Sequence, residues 1–157
     1  MSDRKPDVLG TLDATGLRVV IVAARFNAEV VDALVDGAVS RLTELGQDPA
    51  DCRVLRVPGA FELPVVAARA AARDDVDGVV ALGAVVRGGT PHFDYVCDAA
   101  TTGLEAVARA HDTPVGFGLL TTDTWEQATD RAGGSEGNKG REAAEALVET
   151  IRVLQQV

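Results

Sequence analysis

The residues best suited to chemistry lie close together in Arg87-Gly88-Gly89-Thr90-Pro91-His92. Consecutive glycines running into a helix start expose backbone N–H groups, and the Thr90 hydroxyl adds a further donor. Gly89 and Thr90 are therefore a candidate anion site for a phosphate, with Thr90 as the expected N-cap and Pro91 at the first helical position. His92 falls in the first turn of that helix, at its positive end, as an acid–base candidate; the plainer reading is a surface histidine. His111, in a helix-to-strand loop before Asp112, reads as surface. The stretch is neither a GxxxxGK(S/T) loop nor a GxGxxG fingerprint, so ATP or dinucleotide use has little support.

Aromatic residues make up only 4% of the 157-residue chain, while 46% is hydrophobic, so each ring is informative. Phe26, in Arg25-Phe26-Asn27 at the end of a β-branched run, either stacks on a flat ligand ring or plugs a helix–sheet edge. In Pro58-Gly59-Ala60-Phe61-Glu62-Leu63-Pro64, Gly59 and Ala60 leave room for a ligand near the backbone and Phe61 offers a second ring. Glu62 sits in a first helical turn, where its carboxylate either meets a ligand or simply caps. Phe117, between Gly116 and Gly118, and Trp125 read as packing residues. Arg131 and Lys139 flank a glycine-rich loop, either converging on an anion or forming ordinary solvated surface.

The elements that must position these groups follow from hydrophobic periodicity. Short apolar runs without alternation, at 17–24, 53–57, 78–86 and 115–120, have the pattern of strands buried on both faces of a parallel sheet. Helical spacing covers 28–45, 60–73, 91–110 and 124–131, and a last helix begins at Asn138, its expected cap. Strict alternation of strand and helix implies right-handed crossovers. The expected fold is α/β, a three-layer α/β/α sandwich around a four-stranded parallel, flavodoxin-like sheet, with ligands at the carboxyl ends of the strands. One domain is expected over 16–157, preceded by a polar N-terminal arm at 1–15.

A net charge of −9 argues against nucleic acid or an anionic membrane as partner. Neither an apolar leader nor a long apolar span occurs, so a soluble, cytoplasmic protein is expected. Cys52 and Cys97 have no metal-ligand spacing and read as reduced core thiols, with no metal site.

Read together, RFN at 25–27, PGAFELP at 58–64, GAVVRGGTPHFDYV at 83–96, GFGLLTTDTWEQATDRAGG at 116–134 and NKG at 138–140 resemble the lumazine synthase family of riboflavin biosynthesis. The motifs run in family order over nearly all of the chain from residue 10. The resemblance implies condensation of 5-amino-6-(D-ribitylamino)uracil with 3,4-dihydroxy-2-butanone 4-phosphate, without metal, redox group or other cofactor. It implies that Phe26 stacks on the pyrimidine, that Ala60, Phe61 and Glu62 hold ring and ribityl chain, and that Ala84, Val85 and Val86 present backbone groups. It further implies that Gly89, Thr90 and Arg131 bind phosphate, that His92 transfers protons, and that Phe117 reaches the pyrimidine from a neighbouring subunit. Homopentamers or shells of pentamers, and riboflavin synthase as a partner, belong to the same expectation. Three departures stand out: Ala84 for a common Thr, Pro91 for a common Thr, and Gly134-Ser135-Glu136-Gly137 where a lysine is usual.

Overall fold

Six consecutive buried residues, Val19–Ala24, form β1 at the centre of the sheet, because β-branched side chains suit a pleated surface covered on both faces. The computed structural model describes residues 6–7 and 12–157, so 1–5 and 8–11 of the expected arm lie outside the described residues. After β1 come α1 (Ala28–Glu44), β2 (Cys52–Val57), α2 (Leu63–Ala71), β3 (Gly78–Val86), α3 (His92–His111) and β4 (Val115–Thr122). Then follow α4 (Trp125–Asp130), β5 (Ala132–Gly134), β6 (Gly137–Asn138) and α5 (Lys139–Leu154). The main sheet runs β2-β1-β3-β4 with every pairing parallel. This is the expected flavodoxin-like sandwich.

Alternate residues of β1 feed two cores. Val19, Ile21 and Ala23 pack with α1 and α5, whereas Val20, Val22 and Ala24 pack with α2 and α3. Each fully buried Val, Leu or Ile contributes about 1.5–3 kcal/mol. Two glycines let α1 and α5 approach closely. A β-carbon on Gly140 would lie 2.0 Å from the Leu34 carbonyl oxygen, and one on Gly37 would meet the Asn138 side chain. Asn138 caps α5 as expected, its Oδ1 accepting from the Arg141 N–H at 3.1 Å, and its Nδ2 donates to the Ala33 carbonyl at 2.9 Å.

Several local expectations change. The stretch expected as a loop after Arg131 contains the antiparallel β5–β6 hairpin, closed by Lys139 N–H donating to the Arg131 carbonyl at 2.8 Å. The segment expected as one helix from residue 60 opens with a 3-10 turn at Ala60–Glu62 before α2. The Thr90 cap does not form: among the described residues no side-chain hydrogen bond closes the N-terminus of α3, although Pro91 already has helical angles. An ion pair from Arg87 to Asp94 ties down that first turn instead. Cys52 and Cys97 are free but half-buried, not deep in the core, and burial pushes both thiols up. Trp125 is exposed at the start of α4. No helix among the described residues is long and apolar enough to cross a membrane.

Candidate active site

Parallel strands bring their carboxyl ends to one edge of the sheet, and here the ends of β1, β2 and β3 surround a cavity of about 590 Å³. Phe26, Ala60, Phe61, Glu62, Ala84, Val85, Val86, Thr90 and His92 all line it. The separate strand-end motifs thus converge on one space, large enough for a small heterocycle. Phe26 and Phe61 are 72% and 66% exposed, so neither plugs the hydrophobic core. Rings held at a cavity rim with their faces open can stack on a planar ligand.

The backbone around the cavity is held by short hydrogen bonds. Glu62 Oε2 accepts from the Gly59 N–H at 2.8 Å, which realises the capping role while the residue still faces the cavity. Asn27 adopts left-handed angles (φ 59°, ψ 46°) between β1 and α1, a conformation that Asn tolerates better than most side chains. Its Nδ2 donates to the Ala84 carbonyl at 2.8 Å, joining the end of β1 to the end of β3. That carbonyl is therefore already engaged. At the third strand end, side chains on Gly88 or Gly89 would meet open space, and Thr90 and His92 are exposed beside them. The start of the twenty-residue α3, without a side-chain cap, brings the positive end of a helix dipole to the cavity wall.

Gly89, Phe117 and Arg131 do not line the cavity. Gly89 adjoins the lining residues Gly88 and Thr90. Phe117 lies on the edge strand β4, opposite Ala81, several residues short of the strand ends, and is 47% exposed. Arg131 follows α4, its Nη1 donating to the Gln127 carbonyl at 3.1 Å. Lys139 pairs with Glu142 at 2.8 Å, so the two cations flanking the hairpin do not converge on the cavity.

Gly88, the first of the two consecutive glycines, lines the cavity as well; Asn27, Phe93 and Val96 also line it and were not singled out from the sequence as site residues. An Asn at a strand-to-helix junction was an available signal for Asn27. Phe93 gave none, since a phenylalanine in a first helical turn is indistinguishable from a core residue until its neighbours are known. It is buried, with the Arg87 guanidinium carbon 4.2 Å from its ring centroid. Arg87 in turn donates to Asp123 Oδ1 at 2.8 Å and to Asp94 Oδ1 at 3.2 Å. The two carboxylates push its pKa further up, Asp123 most strongly.

The arrangement offers stacking rings, a carboxylate, an open helix start and an imidazole, which together can bind a flat heterocycle beside an anion and move protons between them. Residues 16–155 match the family model of 6,7-dimethyl-8-ribityllumazine synthase. The chain is 54% identical over 150 residues to the 6,7-dimethyl-8-ribityllumazine synthase of Desulfovibrio desulfuricans, covering 96% of each chain. It is 52% identical over 148 residues to the protein of that name from Nitratidesulfovibrio vulgaris strain Miyazaki F, covering 94% of this chain and 95% of the relative.

Proposed function

We infer the chemistry from one premise: the chain belongs to the 6,7-dimethyl-8-ribityllumazine synthase family. It is a transferase of riboflavin biosynthesis, condensing 5-amino-6-(D-ribitylamino)uracil with 3,4-dihydroxy-2-butanone 4-phosphate to the lumazine, with release of phosphate and water. The observation that carries the residue assignments is the gathering of Phe26, Phe61, Glu62, Thr90 and His92 around one cavity.

In the proposed pose the pyrimidine stacks on Phe26, Ala60 and Phe61 border the ring and ribityl chain, and Glu62 binds a polar group. Backbone groups of Ala84, Val85 and Val86 face the pyrimidine's polar edge. The uracil amine attacks the ketone carbonyl, and the carbinolamine loses water to give an imine. His92 moves protons in both steps. Phosphate then leaves by elimination, its growing charge met by the amides of Gly89 and Thr90 and by Arg131. After tautomerisation, the ribitylamino nitrogen closes the second ring with loss of water. Proximity supplies much of the acceleration, because the two substrates are already reactive toward each other.

Phe117 and Arg131 stand outside the cavity formed by their own chain, which supports a working unit in which a neighbouring copy completes each site. A homopentamer, or a shell of pentamers, acting in the cytoplasm and passing its product to riboflavin synthase, fits this reading. The deciding experiment mixes the purified protein with both substrates and follows product absorbance. A rate above the spontaneous reaction is expected; binding of the lumazine with no added rate would make this a non-catalytic flavin-binding protein.

A further inference from the structure

The turn bearing Gly88, Gly89 and Thr90 has to hold its shape without packing, since the space beside both glycines is open. What anchors it lies at its N-terminal end. The Arg87 N–H donates to the Thr122 carbonyl at 2.8 Å, continuing the β3–β4 ladder past the strand ends. Its side chain then turns back. Nε donates to Asp123 at the end of β4, and Nη1 donates to both carboxylate oxygens of Asp94, at 3.2 and 3.3 Å, in the first turn of α3. The flat face of the same guanidinium covers Phe93, which is buried and lines the cavity. One side chain therefore spans the end of β4 and the start of α3, on either side of Thr90 and His92.

Ion pairs this exposed contribute little to stability: Arg87 is 42% accessible, and its partners are 60% and 68%. Their value is geometric. We propose that Arg87 is a positioning residue for the reaction, clamping Asp123 and Asp94 while stacking on Phe93 so that the α3 start presents Thr90 and His92 to the cavity at one fixed angle. A planar guanidinium can donate to two carboxylates from its edge while its face covers a ring; an ammonium is a point charge with no flat face to stack and no fixed fork to hold both partners in place. The inference rests on His92 and Thr90 acting as proposed above.

The test compares Arg87→Met, Arg87→Lys, Asp123→Ala, the Arg87→Met/Asp123→Ala double variant and His92→Ala by steady-state kinetics with both substrates and by thermal melting. Arg87→Met is expected to keep its Tm within a few degrees and to lower kcat about 10- to 100-fold, the cost of a misplacement of about 1 Å. KM for the pyrimidine should stay within about twofold, because its proposed binding groups, from Phe26 to Val86, lie outside the two segments that the Arg87 side chain joins, the end of β4 and the start of α3. Arg87→Lys should recover only part of kcat, and the double variant should be no slower than Arg87→Met alone. Wild-type kcat in Arg87→Met, while His92→Ala is slow, would overturn the clamp and leave the His92 reading intact. Wild-type kcat in His92→Ala would overturn both. Multiplying defects in the double variant, or a raised pyrimidine KM at constant kcat, would also overturn it. Should Arg87→Met fail to fold, Asp123→Ala, altering an exposed side chain, carries the same kcat-against-KM comparison.

Discussion

His92 stands exposed at an uncapped helix start, with Phe26 and Phe61 across the same cavity. Replacing it with Ala should slow kcat roughly 100- to 10,000-fold, the range for loss of a general acid–base group. Steady-state rates over the uncatalysed background check this, and an unchanged kcat would remove its role. Phe26→Ala should instead raise KM for the pyrimidine about 3- to 10-fold, matching one lost ring–ring contact. At this scale the sequence was most legible where a residue type was scarce. Four phenylalanines invite individual scrutiny, and three of them line the cavity, Phe26 and Phe61 as the exposed ring candidates and Phe93 as a buried wall. Arg87 was harder to read because an arginine near aspartates is ordinary surface chemistry until the partners prove to sit on different elements.

Helix α5 meets α1 through Gly140 and Asn138, so the NKG motif has a structural role in this chain. Gly140→Ala would drive a methyl into the Leu34 carbonyl and force the helices apart. The expected cost is about 3 kcal/mol or more, a fall of roughly 6–12 °C in Tm, readable by calorimetry. Gly88→Ala, whose side chain would enter open space, should leave Tm within about 2 °C. Element types followed directly from periodicity, since buried strands and amphipathic helices carry opposite patterns. The β5–β6 hairpin did not, because glycine-rich residues have no side-chain pattern and the pairing is made by backbone groups alone.

Across the whole molecule, assembly and acid stability can both be measured. Light scattering should give a mass of at least five chains; a monomer would contradict a site shared between copies. Asp77 accepts from the Arg18 N–H at 2.7 Å and from its guanidinium, fastening the residue before β1 to the one before β3. Arg18 holds this carboxyl below its usual range. A depressed carboxylate contributes its stability fully above about pH 4 and loses it as pH falls through the lower folded value. Asp77→Asn should therefore melt a little below wild type at pH 7 and level with it near pH 2, the gap staying small because the pair is solvent-screened.

The order of strands and helices, the acidic surface, the ring-bearing strand ends and the family all follow from the sequence alone, because each depends on residue type and spacing along the chain. Only the tertiary structure decided which strand ends share one cavity, that Phe117 and Arg131 lie outside it, that Asn27 locks the Ala84 carbonyl, and that Arg87 bridges β4 to α3. These depend on the lateral order β2-β1-β3-β4 and on side-chain reach between elements. Neither is written in local periodicity; both arise when a chain buries two faces of one sheet at once.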